Sequence, residues 1–245
     1  IRVEERWYFF PIPIFELADR NFTEWWVNQK RDLSRVEYGI KLRQFNFRGR
    51  NETVSLTAQF GFTKLFRLVY HIPYIDKKQK LGLQIFGDYA TNKNIAATTV
   101  DHRLQFVDSD VVLREQARGG ISMTYRPSFY SYHEFGGYYD GQFINDTVPK
   151  LNSNYFPDSL NTLRYLALYY TFTMDKRDYV GYPLHGSFLE ARALQSGIGI
   201  FSDVSIFRLN FSYSKYFELH KKLFLGSNLK ISASTPVKQP YSMYN

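Results

Sequence analysis

The chain contains no cysteine among its 245 residues, which excludes disulfides, thiolate metal sites and a cysteine nucleophile. Long apolar runs are also missing: the longest are a few residues, far short of the ~20 needed for a membrane-spanning helix. Tryptophan and methionine are scarce, at three each. The five histidines, His71, His102, His133, His185 and His220, are scattered, with no pair at helical or hairpin spacing that suggests a metal site. No G-x-S-x-G elbow, phosphate-cradling glycine loop or dinucleotide fingerprint is present. Asp140, Asp146 and Asp158 read as solvated loop carboxylates. Nothing therefore supports an active site or a cofactor, and the chain reads as a non-enzyme. The formal charge is +8, yet Lys and Arg are spread over turns, loops and polar strand faces, which argues against nucleic acid as a partner. No charged-then-apolar signal segment precedes Ile1, so the expectation is either a removed signal or a piece of a longer chain.

What the chain has in quantity is aromatic rings, 20 Tyr and 22 Phe, a β-favouring composition. They fall in a pattern. Residues 204–217 read V-S-I-F-R-L-N-F-S-Y-S-K-Y-F, with Phe207, Leu209, Phe211 and Tyr213 on one face and Arg208, Asn210, Ser212 and Ser214 on the other. A period of two is what an extended backbone imposes. An apolar face opposed to a hydroxyl, amide and cation face implies two different solvents. Stretches of this kind recur at 6–17, 35–47, 53–62, 65–74, 80–91, 113–126, 133–143, 163–174, 187–195, 204–217 and 223–234, about eleven strands in all. Each has roughly the length needed to cross a bilayer as a tilted strand. The mean hydropathy of -0.37 fits this reading, because a polar lumen face offsets a lipid face in any average.

The connections sort into long and short, in alternation. Long polar ones are expected at 18–34, 92–111, 144–161 and, more modestly, 196–203; short ones at 48–51, 76–79, 179–183 and 220–222. The short link at Thr63 and Lys64 breaks the rule. Long outer loops opposite tight inner turns are the signature of an outer-membrane barrel. Residues 24–32, without an apolar stripe of useful length, are read as loop. The expected fold is thus all-β: a transmembrane antiparallel up-and-down barrel whose lipid-facing residues include Phe207, Leu209, Phe211 and Tyr213.

One cluster is less generic. Residues 163–186 form an alternating strand, then the charged knot Asp175-Lys176-Arg177-Asp178, then a turn with Tyr182, Pro183 and Gly186. Asp175 and Arg177 lie on one side of the strand end and are placed to pair, while Pro183 and Gly186 set a tight return. D-x-R-D followed by Y-P-x-x-G resembles the barrel of the BamA-type outer-membrane assembly factors, a superfamily that includes TamA and the two-partner secretion transporters. The opening W-Y-F-F-P-I-P-I-F-E-L-A-D-R-N-F-T-E-W-W (7–26), with R-D-L-S-R, N-F-R-G-R-N-E-T and P-Y-I-D-K-K-Q-K, is similar to the versions found in Bacteroidetes-type bacteria.

The resemblance implies a barrel of about sixteen strands preceded by POTRA domains, with residues 1–245 forming its N-terminal two-thirds and the C-terminal strands and POTRA domains lying outside them. It implies an outer-membrane location, lipids, unfolded outer-membrane client proteins and accessory assembly lipoproteins as partners, and a lateral gate at the first strand: Trp7, Tyr8, Phe9, Phe10, Pro11, Ile12, Pro13, Ile14 and Phe15. Pro11 and Pro13 cannot donate to a strand ladder and suit an edge. The function so implied is assembly and insertion of client barrels. The alternatives are a secretion or diffusion pore and a barrel anchor for a fused enzyme.

Overall fold

The computed structural model describes residues 7–18, 21–28, 30–101, 103–236 and 239–243. It contains thirteen strands: β1 (Phe9–Leu17), β2 (Val36–Phe47), β3 (Glu52–Gly61), β4 (Thr63–Ile72), β5 (Leu81–Asn92), β6 (Asn94–Val100), β7 (Arg103–Asp108), β8 (Arg114–Tyr125), β9 (Ser131–Ile144), β10 (Thr162–Asp175), β11 (Gly186–Ile198), β12 (Phe201–His220) and β13 (Leu223–Thr235). Eleven of them make one antiparallel sheet in the order β1-β2-β3-β4-β5-β8-β9-β10-β11-β12-β13. All eleven coincide with the alternating segments of the sequence, and β1 and β13 stand as the two edges. Each strand neighbours the next in the sheet because a hairpin is the shortest way to satisfy an antiparallel ladder.

Alternation becomes two surfaces. Ile40, Ala58 and Phe66 sit opposite one another, as do Leu42, Leu56 and Leu68, and this side carries exposed Tyr38, Ile40, Leu56, Phe66, Leu68 and Ile85. A water-soluble sheet would hide such a face, so its exposure is the mark of an apolar solvent. No helix among the described residues is long and apolar enough to cross a membrane; the apolar band belongs to strands.

The other surface is partly covered from within. The 145–161 connection, which carries the short helix α1 (Thr147–Leu151), places Val148, Tyr155 and Phe156 against Ile144, Leu163, Tyr165, Val204 and Ile206. The β6–β7 hairpin adds Ile95, and residues 239–243 fold back so that Tyr241 N donates to Asn154 O at 2.8 Å and Ser242 N to Tyr155 O at 3.1 Å. The buried apolar cluster among the described residues therefore lies on the inner side of the sheet, where connections pack onto strand residues rather than sheet onto sheet.

Three local expectations need correction. The 92–111 connection is not featureless, because N-I-A-A-T-T-V and R-L-Q-F-V-D pair as β6 and β7. The 196–203 connection is not long: β11 and β12 are separated by Gly199 and Ile200 alone, with a bulge at Gly197. Gly197 has φ +84, and a β-carbon there would overlap the Val204 carbonyl, so only glycine lets the strand turn back this sharply. Residues 24–32 are not all loop, since Glu24–Asn28 form one turn of π-helix held by ring contacts of Phe22 with Trp25 and Trp26.

Candidate functional site

Two features position chemistry: a charged row on the inner face and the open side of β1. The inner row runs straight across the strands, with Lys41 opposite Thr57, Thr57 opposite Arg67, then Asp88, Arg118, Asp140 and Tyr165 in turn. From Arg67 to Asp140 the signs alternate. Arg67 Nε donates to Asp88 Oδ2 at 3.0 Å, while Arg118 Nε and Nη2 donate to Asp88 Oδ1 and Oδ2 at 2.9 and 3.1 Å. Asp140 accepts two bonds from Gln116 Nε2, at 3.0 and 2.9 Å, and one from Tyr165 Oη at 3.1 Å. Asp88 and Asp140 are buried, with 7% and 3% of their surface exposed. A carboxyl group at such burial needs polar partners: Asp88 has two guanidinium groups, and Asp140 has the Gln116 amide and the Tyr165 hydroxyl. The solvated-loop expectation for Asp140 is thus wrong: it is a mid-strand residue of β9, and the inner row is its environment. Asp146 and Asp158, by contrast, stay in the connection before β10.

Next to this row lies a cavity of about 500 Å³ whose walls include Gln116, Arg118, Asp140, Tyr165, Arg208 and Met243. Arg208 Nη2 donates to the Met243 carbonyl at 2.9 Å, which pins the returning segment over the cavity. Among the described residues, no group of His, Asp or Glu is arranged to hold a metal. His102 lies outside the described residues; His133 stacks on Tyr125 and Tyr170 on the outer face.

The charged knot folds as its spacing suggests. Arg177 Nη2 and Nε bond Asp175 Oδ2 and Oδ1 at 2.6 and 2.9 Å, and the guanidinium lies 4.6 Å from the centre of the Phe188 ring. Asp178 Oδ1 accepts from the backbone N–H of Tyr179 and Leu184 at 2.9 and 3.1 Å, tying the turn shut as an Asx motif. Tyr182 is exposed, Pro183 is half-buried beside it, and Gly186, at φ +101, opens β11 where a β-carbon would strike the Lys176 carbonyl. Phe207 and Leu209 lie exposed on the outer face of β12, with Phe211 and Tyr213 half-buried in the same row.

At β1 the register decides which side each backbone group faces. Phe45 N donates to Tyr8 O at 2.7 Å and Ala18 N to Arg35 O at 2.9 Å, and the pairs Phe10–Arg43, Ile12–Lys41 and Ile14–Gly39 share that phase. Bonded and non-bonded pairs alternate in an antiparallel ladder. The even-numbered residues of β1 therefore bond β2, and Phe9, Pro11, Pro13, Phe15 and Leu17 turn their backbone groups to the open side. Phe9, Phe10, Ile12 and Phe15 are exposed, as are Trp7 and Tyr8 before the strand, and Pro11, Pro13 and Ile14 complete the apolar stretch.

A profile of the Omp85 superfamily domain matches residues 46–240. The chain belongs to the Omp85 superfamily. No curated protein matches it. Among solved structures it is similar to BamA from Haemophilus ducreyi lacking POTRA domains 1–3, with a TM-score of 0.61 at 14% identity, covering 96% of this chain and 42% of that one. The likeness at that identity is one of fold: an Omp85 barrel wall. The chain spans about two-fifths of the length of the BamA structure it matches.

The inner charged row escaped the sequence reading. Its signal was present as single charges at inward parity within apolar strands, Arg67 between Phe66 and Leu68 being the plainest. Which charge meets which depends on register between strands up to 30 residues apart.

Proposed function

We propose that this Omp85 chain is barrel wall of an outer-membrane assembly factor, one that inserts client β-barrel proteins by pairing their strands with the open side of β1. The observation that carries the reading is that side: a membrane-length strand, apolar but for Glu16, with a row of backbone groups from Pro11 to Leu17 that no other strand among the described residues meets. In hydrocarbon such a row is costly until another strand covers it, and strand addition is how an incoming chain gains backbone hydrogen bonds it otherwise lacks. Membership of the superfamily and the BamA-like fold support it. In this reading the eleven strands are part of a wall of about sixteen that sits in the bacterial outer membrane behind POTRA domains, and accessory lipoproteins serve it as in a BamA-type complex of Bacteroidetes-like bacteria.

The test is crosslinking in the full-length protein from cysteines placed singly at positions 8 to 15. Capture of client strands or of the barrel's own closing strand is expected, and capture of neither overturns the proposal. Conductance separates it from a secretion or diffusion pore. With the inner face covered by residues 145–161 and 239–243, current is expected to flicker or stay closed, and a steady open current favours the pore.

A further inference from the structure

The open side of β1 is not an ordinary strand edge. Of its five carbonyls the one of Phe9 accepts from the Trp7 indole N–H, which leaves those of Pro11, Pro13, Phe15 and Leu17 open, and it carries only three N–H groups, because the third and fifth of its nine residues are prolines whose phase faces outward. Had either proline fallen on an even position, it would have broken the ladder to β2. At odd positions both leave that ladder whole and remove donors from the open side alone.

We propose that β1 offers docking strands a one-way edge, which accepts backbone hydrogen bonds at Pro11 and Pro13 and returns none. The inference rests on the docking role argued above and concerns how the docked strand is let go. The occupant is an extended backbone of a client. Carbonyls at every second residue, about 6.8 Å apart, are matched in spacing by the N–H groups of another strand and by nothing in a lipid tail. N–H and C=O of one residue point the same way in any strand, so the deficit holds for parallel and antiparallel partners alike. A client strand is bonded in full at Phe15 and Leu17, at Phe9 through its N–H while Trp7 holds the carbonyl, and by half at Pro11 and Pro13. Its two carbonyls facing the prolines have no donor, at the middle of the strand where water is scarcest. The pairing is therefore closed at Phe15 and Leu17 and loose at its centre, so a client can be templated without becoming a permanent extension of the sheet. The two prolines are positioning residues for release.

The experiment uses the full-length protein in proteoliposomes, carrying Phe15→Cys. The probe is a synthetic ten-residue peptide of alternating valine and threonine with one terminal cysteine, allowed to dock, chased with excess unlabelled peptide and trapped by oxidation at intervals. Pro11→Ala with Pro13→Ala restores both donors and is expected to slow release about tenfold or more, since each new backbone bond adds to the lifetime, with each single replacement intermediate. Ile14→Ala, whose N–H already serves β2, is expected to release at the parent rate. A heat-dependent gel shift retained by every variant shows that each is folded. Equal release rates for the parent and the proline variants overturn the one-way edge and leave docking intact. Failure of the parent to capture the peptide at all overturns the docking reading itself.

Discussion

The outer and inner faces of this sheet are made by the same strands and hold themselves in opposite ways. Outside, Leu42, Leu56 and Leu68 line up across three strands and need nothing from one another beyond bulk, since the surrounding solvent suits them. Inside, Arg67, Asp88, Arg118 and Asp140 line up across four strands, and they depend on partners: both arginines on Asp88, and Asp140 on Gln116 and Tyr165. A residue on the outer face is judged by its hydropathy, whereas one on the inner face is judged by its partners. Mutations should thus fail by different rules one residue apart.

The largest effect is expected from a charge on the outer face at the middle of β12. Phe211→Arg or Phe207→Arg should destabilise the folded state by about 2–4 kcal/mol in lipid, while Asn210→Arg, turned inward, should be tolerated. Urea titration of the gel-shifted folded form measures both, and equal penalties would erase the distinction between faces. On the inner face, Asp88→Ala strands two arginines. Both are about one-third exposed, 39% and 34% for their side chains, so partial hydration lowers the cost from that of a fully buried pair to about 2–3 kcal/mol. Asp88→Asn should recover little of it, which a rule of size alone would not explain.

Smaller effects sharpen the same contrast at the ends of strands. Gly197→Ala should cost about 1–3 kcal/mol because alanine cannot hold φ +84 beside the Val204 carbonyl; an unchanged midpoint in urea would mean the bulge relaxes freely. The smallest is a pH effect at the turn between β4 and β5. Asp76 is held below its ordinary value by the N–H groups of Leu81 and then Lys80, at 2.8 and 2.9 Å from Oδ1. A depressed carboxyl contributes its stability above the unfolded pKa and loses it as pH falls through the lowered folded value. Amide protection at Lys80 and Leu81 should therefore be intact at neutral pH and fall only below about pH 4, and Asp76→Ala should lack that protection at every pH.

Much of the wall was legible because period-two alternation is a local property. Phe207, Leu209, Phe211 and Tyr213 could be assigned to one side without knowing any neighbour. The turn from Asp175 to Gly186 was legible for the same reason, since its ion pair joins residues two apart. The 196–203 connection was expected to be longer than it is: Gly197 and Gly199, which suit a bend or a close strand approach, make the turn so tight that only residues 199 and 200 lie outside the strands. Asp140 misled because a lone carboxylate near Gly141 looks solvated until Gln116 and Tyr165 arrive from other strands.

The number of strands in the main sheet, their order and the identity of the two faces follow from side-chain parity and hairpin length, which are written within each ten-residue stretch. The charged row, the covered interior and the outward phase of Pro11 and Pro13 do not. They depend on register, and register is set between strands: shifting β1 by one residue against β2 leaves every local pattern in place yet turns both prolines inward to the ladder and reverses the meaning of that edge.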